Sequence, residues 1–245
     1  MNVRESWIAA DWQAPPNIVA GCTLRHGGVS RGPYASLNLG IHVGDDAAAV
    51  AENRSRFAAR CELPAEPRWL TQVHGSRVVR DAEAGSEADA AITANSGQVC
   101  VVMVADCLPV LLTDVAGTEV AAAHAGWRGL ADGVLENTVD AFNAAPSGLQ
   151  AWLGPAISAP SFEVGSEVRE RFVDQDPAAA ACFRRNDRGR WQADLPGLAR
   201  QRLSAMGVTS IHGGQYCTYL EPDRFFSYRR DGQCGRMAAY IFRRG

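Results

Sequence analysis

The chain has 245 residues and a formal net charge of −3, so it lacks the basic surplus that is typical of nucleic-acid-binding proteins. All 24 of its basic residues are Arg, which excludes Schiff-base catalysis and a Walker-type phosphate loop because both need a lysine amine. Seven scattered Cys without a CxxC pair, no signal-like start and no long apolar run predict a cytoplasmic protein that does not span a membrane.

The N-terminal part of the chain mixes strand patterns with one helix pattern. Asp46 is a plausible N-cap, and Val50 and Phe57 fall on one stripe of the helix that it would begin. The predicted elements are, in chain order, a strand at 18–24, a polar loop at 25–40, a helix at 46–60 and two short strands within 68–80 that are interrupted at His74-Gly75.

The remainder of the chain continues this mixture without the regular alternation of a doubly wound fold. The predicted elements are strands at 98–104, 108–113 and 118–124 with a turn at 114–117, a helix at 129–144, a strand at 151–153, helices at 165–173 and 194–206, a strand at 209–211 and strands around a turn at 231–232. The run at 98–104 is apolar throughout, which predicts burial on both faces. We therefore expect one α/β (α+β) domain over residues 1–245.

Three separate segments each carry one strong metal ligand beside a glycine or a carboxylate: TQVHG with His74, ADCLP with Cys107 and AHAGWRG with His124. Three protein ligands and an open position are how catalytic zinc is held, and these spacings are too wide for a zinc finger. His26, His42 and His212 compete with His74 as the third ligand by residue type. Cys107 is also a candidate nucleophile that His124 would activate, or a small buried apolar residue.

Several ordered motifs carry a family resemblance. TQVHG, VADCLPVLL, AAAHAGWRG, the WLGPAIS and FEVG pair and the closing FFSYRRDG resemble the YfiH/YlmD family, once named the laccase-domain or multicopper polyphenol oxidase family. The resemblance implies a zinc ion held by His74, Cys107 and His124. It also implies a single compact domain with mixed sheets layered between helices, distantly like a cysteine-deamidase toxin domain.

The activities implied by the resemblance are phosphorolysis of adenosine, inosine, guanosine and methylthioadenosine, together with deamination of adenosine. Its substrates would therefore be a purine nucleoside and phosphate. A second implied role is editing of mis-incorporated serine in a peptidoglycan (UDP-MurNAc) precursor. Copper oxidase chemistry is the least favoured alternative, because five His are too few for a trinuclear cluster plus a blue-copper site, so Cu²⁺ ranks behind Zn²⁺ as the cofactor.

For these reactions, Cys107, His124 and Asp106 are the predicted catalytic residues. Asp106 is the first candidate for the proton carrier and Glu163 the second, and Asp106 could instead orient a histidine ring. The predicted substrate-binding residues include guanidinium groups for phosphate, hydroxyl and amide groups for ribose, and aromatic rings for the base, namely Arg25, Arg128, Arg229 and Arg230, Ser30, Ser36 and Asn38, and Trp127, Tyr219 and Phe226.

Two alternatives stay open at the level of sequence. One is a metal-free hydrolase or amidase with Cys107 as nucleophile and His124 as base. The other is a zinc-carrying binding module without catalysis. The surface pattern does not indicate a partner protein.

Overall fold

A computed structural model describes residues 7–245. Its strands are β1 Trp7–Ala9, β2 Ile18–Thr23, β3 Val78–Arg80, β4 Ala90–Thr93, β5 Cys100–Val104, β6 Leu108–Asp114, β7 Val120–Ala125, β8 Leu149–Leu153, β9 Glu163–Val164, β10 Phe183–Arg185, β11 Trp191–Ala193, β12 Ser210–Gly213 and β13 Met237–Arg243. Its α-helices are α1 Ala47–Arg60, α2 Trp127–Ala131, α3 Val134–Asp140, α4 Ser166–Val173, α5 Leu195–Ala205 and α6 Tyr228–Asp231. Short 3₁₀ turns lie at Gly32–Tyr34, Pro146–Gly148, Ala159–Ser161 and Pro177–Cys182.

Two large sheets are stacked on each other. The six-stranded sheet has the order β12-β8-β6-β7-β4-β3 and is mixed, because β12 runs parallel to β8 and β3 parallel to β4. The four-stranded sheet has the order β1-β2-β13-β5 and is antiparallel. A third, small sheet joins β10, β11 and β9. The predicted class, mixed sheets layered between helices, is confirmed.

Side chains along β5 point alternately to its two faces, so that this strand contributes to two hydrophobic cores. Val102 and its neighbours at even positions face the six-stranded sheet, where they pack with Leu111 and Trp152. Val101 and Met103 face the opposite way, toward α1 and Phe57. The outer face of the six-stranded sheet is covered by α2, α3, α4 and α5. The prediction that this strand is buried on both faces is confirmed.

Several predicted elements agree closely with the structure. Asp46 caps α1 by accepting a hydrogen bond from the backbone N–H of Ala48 at 3.2 Å, and Val50 and Phe57 are buried as expected. The hairpin of β6 and β7 forms with antiparallel register from Leu108 to Thr113. Among the described helices, no segment is both long and apolar enough to cross a bilayer.

The predicted helix at 129–144 is wrong in its extent. The chain instead forms α2 and α3, which are separated at Gly133 with φ 89°. This left-handed conformation is accessible to glycine because it has no Cβ, and it breaks the helical run that the apolar spacing suggested. The helix also begins earlier, at Trp127, which brings its first turn to the end of β7.

Two predicted strand pairs are also wrong. Within residues 68–80 only β3 is a strand, and Thr71 makes a single bridge to Glu87. In the last 30 residues the segment before the turn is the short helix α6, which Ser227 caps, so that β13 is the one strand found there. At the first place the buried Asp89 carboxylate binds backbone N–H groups of the His74 turn, and at the second the Asp106 carboxylate accepts from the backbone N–H of Arg229 in α6.

Candidate metal centre and active site

His74, Cys107 and His124 lie together beside the six-stranded sheet, where its central strand β6 begins and its neighbour β7 ends. Their ligand atoms are all within 4.8 Å of one another, and the Cys107 Sγ is 3.8 Å from the His74 Nε2. The two imidazole rings meet edge to face, with 4.8 Å between their centroids. His74 is exposed, Cys107 half-buried and His124 buried, so that the cluster opens to solvent on the His74 side.

His124 is held rigidly by the strand pairing of β4 and β7. Its backbone N–H donates to the carbonyl of Asp89 at 2.7 Å, and its Nδ1 lies 2.8 Å from the Asp89 Oδ1. Asp89 is fully buried and cannot donate when ionised, so Nδ1 carries the proton of this hydrogen bond. The other ring nitrogen, Nε2, is left as the ligand atom.

Cys107 reaches the cluster through a tight bend between β5 and β6. Asp106 has φ 93°, a left-handed conformation that reverses the chain so that Cys107 directly precedes β6. Opposite the sulfur stands Gly126, where a Cβ would lie 2.9 Å from Sγ and 3.1 Å from the His74 Cδ2. Any larger residue at position 126 would displace the Cys107 sulfur from this position.

His74 sits on a turn with left-handed backbone, at φ 60°. Such a conformation costs a non-glycine residue about 1–3 kcal/mol. The carboxylate of Asp89 offsets this cost by accepting hydrogen bonds from the N–H groups of Val73 (3.2 Å), His74 (3.0 Å) and Gly75 (2.7 Å). Helix α2 packs on the same turn, because a Cβ on Gly129 would lie 2.5 Å from the carbonyl oxygen of Gly75.

The electrostatics of the cluster favour a thiolate. Burial by itself would raise the pKa of Cys107, but the charge of His124 and hydrogen bonds from His124 and His74 outweigh it and lower that pKa to about 6. Burial would lower the pKa of His124, but the charge of Cys107 and the hydrogen bond to Asp89 raise it to about 9. Cys107 is therefore ready to act as a metal ligand or as a nucleophile at neutral pH.

The donor set could hold a metal ion. Tetrahedral zinc with bonds of ~2.0–2.3 Å needs donors about 3.5 Å apart; the Cys107 and His74 donors are 3.8 Å apart, and all three donors lie within 4.8 Å of one another. Two imidazoles and one thiolate are borderline-soft ligands that suit zinc, and also copper. Across residues 7–245 this is the only cluster of three or more such ligands, so the described chain offers no multi-copper arrangement.

A cavity of about 560 Å³ opens over the cluster. Three arginines line it, namely Arg128, Arg229 and Arg236. The Arg128 guanidinium stacks on the Trp127 ring at 4.5 Å and, within the described chain, forms no ion pair. The wall is completed by aromatic, apolar and polar side chains, namely Trp127, Phe162 and Tyr228, Met103, Val104, Ala105 and Ile157, and His42, Gln72 and Asp106. One cavity thus combines a metal-competent cluster, cationic groups and aromatic faces.

Asp106 lines the cavity, but its carboxylate contacts no histidine. It accepts hydrogen bonds from the Thr218 hydroxyl at 2.6 Å and from the backbone N–H of Arg229 at 2.7 Å. The alternative that Asp106 orients a histidine ring has no support from these hydrogen bonds, and on His124 the orienting carboxylate is that of Asp89. Its predicted part as a proton carrier stays a prediction.

Three predicted ribose- or phosphate-binding residues do not line the cavity. Arg25 donates to backbone carbonyls and stacks on a ring, the Ser36 hydroxyl accepts from loop amides, and the Asn38 carbonyl oxygen accepts from the backbone N–H of Arg236 at 2.9 Å. All three are used to shape the long loop at 25–40, which packs behind Arg236. Direct contact of Arg25, Ser36 or Asn38 with a substrate therefore stays a prediction, without support from the arrangement of these groups.

The other candidates separate in the same way. Of the competing histidines, His42 lines the cavity, whereas His26 contacts a backbone carbonyl and His212 bonds to Ser210. Glu163 accepts from Asn186 at 2.7 Å and does not line the cavity. Among the predicted stacking rings, Trp127 lines the cavity, Phe226 lies in a core, and the half-buried Tyr219 packs against the other core.

The sequence reasoning missed Asp89, and also Gln72, Arg236, Phe162 and Tyr228 in the wall. The available signal for Asp89 was its setting: a carboxylate between alanines, directly before the apolar strand β4, is costly to bury unless it is paired. The Gln72 amide pairs with both backbone groups of Met103, at 2.9 and 2.7 Å, and so fastens the His74 segment to the edge of β5.

The mixed sheet stacked on an antiparallel one, together with the cavity over the His–Cys–His cluster, defines a protein of the YfiH/YlmD type. The chain belongs to the family described as multi-copper polyphenol oxidoreductase laccase, whose model matches residues 19–244, and the resemblance predicted from its motifs is confirmed. A Neisseria meningitidis protein of known structure superposes with a TM-score of 0.95 at 50% identity, over 98% of this chain and 100% of that chain. YlmD from Geobacillus stearothermophilus gives 0.93 at 32% identity, over 100% and 98%.

Curated relatives match over nearly their whole length. A protein of Haemophilus influenzae named purine nucleoside phosphorylase is 50% identical over 239 residues, which are 96% of this chain and 98% of the relative. The Escherichia coli protein named purine nucleoside phosphorylase YfiH is 52% identical over 238 residues, with the same shares covered.

Proposed function

We propose that this chain, as one domain over residues 1–245, is a zinc-dependent purine nucleoside phosphorylase that also deaminates adenosine. Its substrates are adenosine, inosine, guanosine or methylthioadenosine together with phosphate. The single observation that carries the proposal is that a metal-competent His–Cys–His cluster and three arginines line one cavity of about 560 Å³. Relatives at about 50% identity that are named purine nucleoside phosphorylase support it.

Phosphorolysis joins a phosphate oxygen to C1′ of the ribose, breaks the bond from C1′ to the base nitrogen and leaves the base with a proton. Phosphate is best held by guanidinium forks. Arg128 is the first choice for this part, because its side chain is exposed to the cavity and forms no ion pair with a described residue. Arg229 also lines the cavity, although one of its nitrogens donates to the Glu163 carbonyl at 2.9 Å.

Zinc bound by His74, Cys107 and His124 would supply a Lewis acid that polarises an oxygen of phosphate or of water. The protein itself supplies the surroundings. Trp127, Phe162 and Tyr228 line the cavity, and the exposed ring of Tyr228 is the first candidate on which a purine can stack. Asp106 is the carboxylate in the wall that can pass a proton to the departing base, and the same residue would serve deamination.

The test is incubation of purified, metal-quantified protein with inosine and with adenosine, each with and without phosphate. Chromatography should find hypoxanthine and ribose 1-phosphate from inosine only when phosphate is present. Adenosine should give adenine with phosphate and inosine by deamination. Release of the base at equal rate without phosphate would contradict phosphorolysis and assign the site to hydrolysis.

One observation favours a second candidate, a thiol hydrolase or amidase acting on a peptidoglycan (UDP-MurNAc) precursor. Cys107 contacts His124, and His124 contacts Asp89, so the three could act as nucleophile, base and orienting carboxylate. The pKa of the thiol is lowered to about 6. Iodoacetamide separates the two candidates. A metal-free chain that is alkylated at Cys107 and thereby inactivated supports the hydrolase, whereas stoichiometric zinc that protects Cys107 supports the phosphorylase.

A further inference from the structure

One carboxylate binds both histidine-bearing segments of the cluster. Asp89 receives the ring N–H of His124 and three consecutive backbone N–H groups from the turn that carries His74. We propose that Asp89 is a positioning residue that presets the metal site by fixing both imidazoles before a metal arrives. This inference rests on the metal centre of the proposed function and adds a residue that touches neither metal nor substrate.

On the His124 side, Asp89 fixes the ring in two ways. The backbone pairing between the two residues at 2.7 Å sets where the side chain begins, and the carboxylate at 2.8 Å sets how the ring is turned. Because the carboxylate requires a proton on Nδ1, the tautomer with Nε2 free is selected. Hydrogen bonds of this kind from the far ring nitrogen orient metal-binding histidines and raise their basicity.

On the His74 side, Asp89 fixes the backbone rather than the ring. The left-handed conformation at His74 aims three successive N–H groups at one point, and the carboxylate of Asp89 occupies that point. Gly129 in α2 packs closely against the same turn, since a Cβ at this position would lie 2.5 Å from the carbonyl oxygen of Gly75. Removal of the carboxylate would leave three N–H groups without an acceptor and allow the His74 side chain to move from the cluster.

Asp89 also balances the charge of the site. A divalent ion with the Cys107 thiolate keeps one net positive charge, and the Asp89 carboxylate, which is fully buried, neutralises it. Asp89 does not line the cavity, whereas Asp106 does. The two acids therefore have separate roles: Asp89 positions the histidine ligands, and Asp106 lines the cavity in which the substrate would bind.

The experiment compares Asp89→Ala and Asp89→Asn with Asp114→Asn as a matched control. Asp114 is also a buried acid, and it accepts hydrogen bonds from Thr118 and Glu119 at 2.7 to 2.9 Å. It ends β6, whereas Cys107 precedes that strand, so about 20 Å separates it from the cluster at ~3.3 Å per residue. The control therefore removes a comparable buried carboxylate without touching the ligands.

Two readouts are measured on each folded variant: zinc affinity by competition with a chromophoric chelator, and the absorption spectrum of the cobalt(II) form. Asp89→Ala is expected to bind zinc about 10- to 100-fold more weakly, with an altered cobalt spectrum. Asp89→Asn is expected to lie between Asp89→Ala and wild type, because one amide oxygen can still accept from His124. Asp114→Asn should match wild type in both readouts even if it unfolds at a lower temperature.

A second measurement does not depend on the variants folding. In the zinc-loaded wild type labelled with ¹⁵N-histidine, NMR should find the His124 proton on Nδ1 and none on Nε2. An unchanged zinc affinity and cobalt spectrum in both Asp89 variants would overturn this inference alone, whereas a proton on Nε2 in the zinc-loaded chain would mean that Nε2 is not the ligand atom and would overturn the metal centre as well. A wild-type chain that takes up no zinc would overturn the metal centre and this inference with it.

Discussion

The Cys107 sulfur packs directly against Gly126, where no side chain can be accommodated without moving the sulfur. A Cβ on Gly126 would stand 2.9 Å from the Cys107 sulfur, which is closer than a real Cβ contact can be. The atom that must give way is the end of a small side chain and not the backbone, so the fold can adapt by turning the sulfur aside. The position of the thiolate, rather than the stability of the domain, thus depends on Gly126, which follows β7 and precedes α2.

Gly126→Ala is therefore expected to lower zinc affinity and turnover while changing the melting temperature little. Gly148→Ala is the matched control, because the nearest atom to its added Cβ is 4.0 Å away. Zinc content after dialysis, turnover and thermal unfolding are measured for both variants. Loss of thermal stability in Gly126→Ala with full zinc content would contradict this account of the contact.

Arg128→Ala is expected to raise the phosphate KM about tenfold, because a charge-assisted hydrogen bond to the anion is lost. Zinc content should not change, since Arg128 contacts no ligand residue through its side chain. Initial rates at varied phosphate concentration are compared with those of Arg31→Ala, which removes an exposed guanidinium outside the cavity. An unchanged phosphate KM would leave Arg128 without a part in phosphate binding.

Local patterns predicted the elements whose cause is local. Asp46 and the stripe through Val50 and Phe57 were enough for α1, and the apolar run was enough for β5. The break at Gly133 was not predictable, because glycine is tolerated within helices and only packing decides whether it takes a left-handed conformation. The interruption at His74-Gly75 was predicted, but its left-handed backbone was not, since the carboxylate that supports the turn comes from a distant segment.

The residues of the candidate site also divide into those that local sequence features could predict and those that depend on the fold. Cys107 and His124 were candidates from their residue types and settings, whereas His74 was separated from the competing histidines only by the family resemblance. Asp89 could not be predicted, because its role depends on the register that sets Ala90 opposite Ala123 in the pairing of β4 with β7. Arg25, Ser36 and Asn38 were attractive as polar loop residues, but the loop uses their polar groups to hold itself together.

Asp114→Asn is expected to destabilise the fold at neutral pH. Burial would raise the pKa of Asp114, but hydrogen bonds from Glu119 and Thr118 outweigh burial and lower it below the ordinary value of 3.8. A lowered folded-state pKa means that the stabilisation is fully present above the unfolded pKa of ~3.9 and is lost as the pH falls through the folded value. The loss at pH 7 should be about 1–3 kcal/mol.

Denaturant unfolding of wild type and Asp114→Asn from pH 7 down to pH 3 checks this prediction. The difference in unfolding free energy should be constant above about pH 5 and shrink toward pH 3. A difference that grows as the pH falls would mean that the hydrogen bonds of Asp114 favour its protonated form instead.

The metal-to-protein ratio of wild type, Cys107→Ala and His124→Ala, determined by elemental analysis beside phosphate-dependent inosine turnover, tests the central claim most directly. We expect close to one zinc per wild-type chain, and the loss of both zinc and turnover in each variant that still folds. A wild-type chain that is active without metal, or a His124→Ala chain that keeps its zinc and its turnover, would contradict the account.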